Sequence, residues 1–343
     1  MKFLWLSLMT CSASWLLTGG LRRYALARSI IDIPNARSSH SVPTPRGGGI
    51  AIVIASLLAV VVLWFLNVIS RDLSLGLLGA GAGIAVLGFF DDHGHIAARW
   101  RLLGHFAGSL WLLFWLGGVP PLELFGWAVD LGAFGYVIGV LYLVWLLNLY
   151  NFMDGIDGIA SVEAICVCLG GVLLTILSHS NSEPAWILPF VLAAAVVGFL
   201  AWNFPPAKIF MGDAGSGFLG IMLGALSLQA GWLDSQWLWS WLILLGVFIV
   251  DATYTLFRRL LRGDKIYEAH RSHAYQYASR LYGRHLPVTT AVLLINILWL
   301  TPIALAAGLG HVEGLIGLVL AYLPLVVLAI KYRAGGQEGE ALI

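Results

Sequence analysis

The sequence predicts an all-α polytopic membrane protein of about eleven transmembrane helices, with its N-terminus periplasmic and its C-terminus cytoplasmic. Three observations predict it. Charged residues are only 11% of the 343, against roughly 25% in a soluble domain, while hydrophobic residues reach 59% and glycines number 40. Apolar runs long enough to cross a bilayer recur between short polar breaks. Sorted by those breaks, the basic residues fall almost wholly on one side. A net charge of +1 excludes a nucleic-acid binder that works by bulk positive field. Cys11, Cys166 and Cys168 lie in apolar stretches and read as small buried hydrophobes rather than a disulfide framework or thiolate metal site.

The apolar runs lie near 3–19, 48–69, 74–90, 102–119, 131–147, 160–178, 186–202, 215–231, 237–257, 288–308 and 312–330. The first has Lys2 before it and Arg22, Arg23, Arg28, Arg37 and Arg46 after it. That asymmetry holds the downstream flank in the cytoplasm and makes the run an anchor rather than a cleaved signal peptide. Tight reversals are expected at Arg71-Asp72 and from Gly308 to His311. Eleven crossings place every one of the 19 Lys and Arg residues inside except Lys2 and Arg71. No internal repeat or low-complexity segment divides the chain. It reads as one integral domain, 1–343, with cytoplasmic loops near 20–47, 91–101, 148–159, 203–214 and 258–287.

Carboxylates at the ends of membrane spans are costly and carry a functional reading by default. Asp91 and Asp92 end the third run in GFFDDHGH. Asp154 and Asp157 follow the fifth in NLYNFMDGIDGIAS, and Asp213 follows the seventh in FPPAKIFMGDAGSGFLG. One such Asp alone reads as a helix cap. Five on one side repel unless a cation shares them, and Mg2+ suits hard oxygen ligands, retained waters and substrate phosphates. Gly155, Gly158, Gly212, Gly215 and Gly217 let backbone approach a bulky anion. Glu123, Asp130, Glu183, Asp234 and Glu313, on the other side, read as solvated caps.

Basic groups supply the complement. SHSVPTPRGGGIA carries Arg46 into three glycines at a helix start, a place suited to phosphate. RRLLRGDKIYEAHRSHAYQYASR adds His270 and His273 at a spacing that puts two imidazoles on one helix face. Zinc wants a third or fourth N or S ligand, so phosphate contact or proton handling fits these histidines better, although His40, His93, His95 and His105 remain. A plain basic patch on the lipid surface is the bland alternative for this loop.

With these residues in view, the chain resembles the polyprenyl-phosphate N-acetylhexosamine-1-phosphate transferases, the superfamily of phospho-N-acetylmuramoyl-pentapeptide transferase and the initiators of O-antigen, enterobacterial common antigen and teichoic acid synthesis. Five signatures follow in order: DIPNARSSHSVPTPRGGG, GFFDD, NFMDGIDG, FPPAKIFMGDAGS and HRSHAYQ. The resemblance implies transfer of a sugar 1-phosphate from a UDP-N-acetylhexosamine to undecaprenyl phosphate. UMP leaves, Mg2+ is required, Mn2+ can substitute, and the site faces the cytoplasm of the bacterial inner membrane. It makes Asp213 the metal-binding aspartate with Asn151 beside it, and Asp91, with Asp92, the acid that takes a proton from the lipid phosphate or positions it. Asp154 and Asp157 line the nucleotide and diphosphate region, Phe210 stacks on uracil, and His270 and His273 contact the diphosphate or lipid phosphate. Arg46, Lys208 and Arg271 are the accompanying candidate substrate-binding cations.

The chemistry asks for the same parts. A lipid phosphate attacking a UDP-sugar brings two anions together, which a divalent ion and basic side chains offset. One phosphoanhydride is exchanged for another, so no ATP motif is needed, and no G-x-x-x-x-G-K-[ST] occurs. Direct attack is favoured over an aspartyl-phosphate intermediate because a phosphate anion needs little activation. HRSH, where the muramoyl-pentapeptide branch carries three consecutive histidines, points to the O-antigen-initiating branch. The donor there is UDP-GlcNAc or a 6-deoxy sugar such as UDP-N-acetylfucosamine or UDP-N-acetylquinovosamine. Peptidoglycan synthesis is the alternative, and a secondary transporter is the rival from another class. A homodimer is allowed, and nucleic acid is not expected as a partner.

Overall fold

The computed structural model describes residues 2–34, 42–94, 96–178, 185–264 and 270–337. His40, His95, Arg37, Lys265 and Glu183 lie outside them. Helices α1 Lys2–Ala27, α2 Ile50–Phe65, α3 Arg71–Gly94, α4 Ala98–Leu116, α5 Gly132–Met153, α6 Ile159–Leu177 and α7 Ile187–Asn203 form the first half. Then come α8 Asp213–Leu233, α9 Ser235–Leu244, α10 Gly246–Leu261, α11 Ala274–Tyr282, α12 Leu286–Ile295, a π-helical turn at Asn296–Leu300, α13 Thr301–Gly308 and α14 Gly314–Lys331. Among the described residues two small antiparallel strand pairs interrupt the helices: β1 Ile31–Asp32 with β2 Thr44–Pro45, and β3 Leu122–Leu124 with β4 Trp127–Val129.

The chain is a multi-pass membrane protein. Among the described residues, seven helices are long and apolar enough to span a bilayer, eight if the α9–α10 pair counts as one. At the other three expected positions the helices α2, α4 and α7 form, but α2 and α7 are only 16 and 17 residues long. At 1.5 Å per residue they reach about 24–26 Å, short of a hydrocarbon core of about 30 Å.

Several boundaries differ from the sequence reading for identifiable reasons. The reversal expected at Arg71-Asp72 occurs earlier, where Asn67 takes a left-handed φ of 52° and Ser70 caps α3 through Leu73 N. Arg71 and Asp72 are already helical. Asp91 and Asp92 belong to the last turns of α3 rather than a loop after it. The ninth run is two helices meeting at 69°. His270 and His273 share no helix face, because α11 begins only after His273, its N-cap.

α8 is the axis of the bundle, packed by α3, α5 and α9. Its glycines bring neighbouring backbones close, as small residues do between membrane helices. A Cβ on Gly220 would lie 2.7 Å from Leu146 O. At the end away from the aspartate clusters, Glu313 caps α14 through Ile316 N, Asp234 caps α9 through Gln236 N, and Asp130 accepts from Gly132 N. These three do behave as helix and turn caps.

Candidate active site

The site is assembled at the end of the bundle where α3 and α5 finish and α2 and α8 begin. The strand containing Pro45 runs into Arg46 and the glycines. It is laid against the segment before α8 by Phe210 N to Pro45 O, Gly48 N to Phe210 O and Gly49 N to Met211 O, at 2.8–2.9 Å. Arg46 is thereby held over the acids. Its Nη2 lies 2.7 Å from Asp213 Oδ1 and 2.8 Å from Asp92 Oδ1. Burial works against the Arg46 charge, but Asp213 and then Asp92 more than offset it, so the guanidinium is held above its ordinary range.

Asp92 also receives Asp213 N at 3.0 Å and Ala214 N at 3.3 Å, so it caps the first turn of α8. The turn depends on Gly212, whose φ is 80° and whose Cβ, if present, would lie 2.7 Å from Asp92 Oδ2. Its neighbour Asp91 takes Arg101 Nη1 at 2.6 Å and Ile96 N at 2.8 Å, and its carboxyl also meets the Asp213 side chain. Of the pair, Asp92 is the member bonded to the α8 backbone amides, and both carboxyls reach Asp213. Arg101 is a partner that sequence reasoning did not single out.

Asn151, in the last turn of α5, donates to Ser216 Oγ of α8 at 3.2 Å, which leaves its amide oxygen as an acceptor. Asp154 follows α5 as its C-cap. Burial first, then the Asp213 charge, drives its carboxyl well above the usual carboxylate range, with Arg46 pulling it back. Asp157 is tied differently: Oδ2 accepts Ala207 N at 3.0 Å, and Oδ1 lies 3.1 Å from His285 Nδ1. It lines a cavity of about 430 Å³ together with Phe210, Arg284 and His285.

The last loop is fastened by an acid in the ninth apolar run. Asp251, buried in α10, accepts Ala274 N at 2.9 Å and Tyr275 N at 3.1 Å, and lies 3.4 Å from His273 Nδ1. It anchors α11. His273 is buried among Phe152, Tyr275 and His270, with ring centroids 6.4, 5.7 and 4.9 Å away. Burial, His273 and Arg259 push His270 down to about 3, so it is neutral at physiological pH. Lys208 is not gathered into the acid cluster: it is exposed, its Nζ 5.7 Å over the Trp202 ring. Arg271 flanks the histidines, its carbonyl bonded by Arg280 Nη1 at 3.0 Å. An apolar cavity of about 300 Å³ lies alongside, lined by α10, α11, α12 and α14 and including Asp251, Tyr275 and Tyr332.

Known proteins resemble this sequence. Residues 74–231 match the model of glycosyl transferase family 4. The chain is 33% identical over 294 residues to a probable undecaprenyl-phosphate N-acetylglucosaminyl 1-phosphate transferase of Bacillus subtilis, covering 82% of this chain and 78% of that protein. It is 31% identical over 326 residues to the decaprenyl-phosphate N-acetylglucosaminephosphotransferase of Mycolicibacterium smegmatis, covering 85% and 78%. A phospho-N-acetylmuramoyl-pentapeptide-transferase of Streptococcus pneumoniae is 30% identical over 266 residues, covering 71% and 77%. With signatures, fold and relatives in agreement, the chain belongs to glycosyl transferase family 4, among the polyprenyl-phosphate sugar-1-phosphate transferases.

Proposed function

We propose that the protein moves an N-acetylhexosamine 1-phosphate from a UDP-sugar to undecaprenyl phosphate at the cytoplasmic face of the inner membrane. The product starts an O-antigen or another surface polysaccharide. The observation that carries this reading is the convergence of Asp92, Asp154, Asp213 and Arg46 from four separate segments at one end of the bundle. In the reaction a lipid phosphate oxygen forms a bond to the β-phosphorus. The bond from that phosphorus to the bridging oxygen breaks, and UMP leaves with the electron pair.

A divalent cation fits the residues present. Arg46 already occupies the place of a positive charge between two carboxylates. Among the described residues no three His, Cys, Asp or Glu side chains converge as a ready cage. Mg2+ needs only one or two carboxylates beside substrate phosphates, so a sparse oxygen set suits it. Asp213 and Asp154, with the Asn151 amide oxygen, would hold it. When bound it supplies charge neutralisation for the diphosphate oxygens. Arg46 offers a guanidinium fork to phosphate, Phe210 a face for uracil, and neutral His270 a hydrogen-bonding imidazole rather than a cation. The apolar cavity beside α10 takes the first isoprene units.

HRSH favours the O-antigen branch over peptidoglycan synthesis, and the donor is UDP-GlcNAc or a 6-deoxy N-acetylhexosamine. Purified enzyme given a panel of UDP-sugars, a short polyprenyl phosphate and Mg2+ is expected to release UMP with one of them. D213N is expected to abolish that release while keeping its detergent melting profile. Full Mg2+-dependent release by D213N overturns the metal assignment, and release from UDP-MurNAc-pentapeptide alone overturns the branch.

A further inference from the structure

Ser272 sits between the two histidines of HRSH, and its donors turn toward one of them. Its Oγ lies 2.9 Å from His270 Nδ1, and its backbone N–H donates to that same nitrogen at 3.4 Å. A ring nitrogen that accepts from an N–H carries no hydrogen of its own, so the hydroxyl donates to Nδ1 as well. In the neutral imidazole the hydrogen is then on Nε2. Among the described residues nothing bonds Nε2, which leaves it for a ligand. The His270 ring also lies against that of His273, with centroids 4.9 Å apart, so it is restrained from turning over.

Ser272 is in turn clamped by the segment that follows α14. Gly335 N donates to Ser272 O at 2.7 Å. Arg258 Nη1 donates to Ala334 O at 3.0 Å and Arg262 Nη1 to Gly335 O at 2.7 Å, so α10 and its C-cap pin that segment in place. Gly335 has a φ of 72°, and a Cβ there would lie 3.0 Å from Arg258 Cβ, so the clamp needs a glycine. On the other side of Ser272, His273 N donates to Gln276 Oε1 at 3.3 Å as α11 begins. The backbone of Ser272 is therefore fixed without its side chain, and among the described residues its hydroxyl serves His270 alone.

We propose that Ser272 is a positioning residue for the transfer: it fixes His270 in the tautomer that offers Nε2–H to a substrate phosphate oxygen. The inference rests on the sugar-1-phosphate transfer reading above. The other tautomer turns a nitrogen lone pair toward the anion and exchanges an attractive contact for a repulsive one. A hydrogen bond to a charged group is worth about tenfold or more. That phosphate belongs to the UDP-sugar or to the lipid, and kinetics in both substrates tells them apart.

The test compares wild type, S272A, H270Q and H270Q/S272A in detergent, by UMP release with both substrates varied and by nitrogen NMR of protein carrying isotope-labelled histidine. The His270 signals are those lost in H270Q. S272A is expected to melt like the wild type and to lower kcat/KM about tenfold for the substrate whose phosphate His270 meets. Glutamine has no tautomer to set, because its amide carries its own N–H donors. S272A is therefore expected to cost nothing further in the H270Q background, whereas a structural role would persist there. The wild-type spectrum is expected to show His270 protonated on Nε2, and S272A a mixture of tautomers. An Nδ1-protonated His270 in the wild type overturns the inference while the transferase reading stands. So does an unchanged kcat/KM in S272A, or the same tenfold loss in the H270Q background. No UMP release by the wild type from any UDP-sugar overturns the transferase reading and this inference with it.

Discussion

At the scale of single residues, the acids are sorted by their partners rather than by their spacing. Asp91 and Asp92 are adjacent, yet one is bonded to Arg101 and the other to Arg46 and the α8 amides. Arg46 is the balance point. R46Q leaves two carboxylates facing each other and is expected to reduce UMP release at least about tenfold, since hydrogen bonds to charged groups contribute about 1.5–3 kcal/mol. His270 makes a separate prediction. Its folded pKa of about 3 lies below the unfolded value of 6.5. Between those values the unfolded chain binds the extra proton, so stability is full above pH 6.5 and declines as pH falls toward 3. The melting temperature of the wild type is therefore expected to drop between pH 6.5 and 4.5 more than that of H270Q, measured in one detergent.

Elements place these residues because small side chains let them close. A Cβ on Gly215 would lie 2.7 Å from Gly49 Cα and 2.5 Å from Met211 Cγ, so α8 and the entry to α2 meet backbone to backbone. G215A is expected to cost about 1–3 kcal/mol by overpacking and to lower activity with it. G83A, on α3 with open space around it, is expected to melt like the wild type. The helical elements were largely legible, because apolar run length is a direct physical demand of the bilayer. The acid signatures were legible because charge at a span end needs a reason. Other features were not. The α9–α10 bend is set by how Leu245 and its neighbours pack, which no run of apolar residues encodes. Asp251 and His285 reach their partners from distant segments, and Arg101 returns to Asp91 from the start of the next helix, so only folding gives them their addresses. Asp251 anchors α11 through the backbone of residues 274 and 275, a contact that only the folded chain makes.

For the whole molecule, the arrangement separates an acid-rich end from a tryptophan-rich end. The β3–β4 hairpin sits at the latter, with Trp239 Nε1 bonded to Glu123 O at 2.8 Å and Trp127 77% exposed. Lys208 marks the other end. In a chain with Cys11, Cys166 and Cys168 replaced by alanine, W127C is expected to react with an impermeant thiol reagent in intact spheroplasts. K208C is expected to react only in inverted vesicles. Labelling of both from one side would overturn the orientation.

One feature of the bundle reaches beyond the reaction. The helix that opens with Asp213 is also the one most enclosed by its neighbours, so the chemistry is bolted to the keel rather than carried on a hinged flap. Heat that unseats this helix is therefore expected to disable the centre and scuttle the hull together.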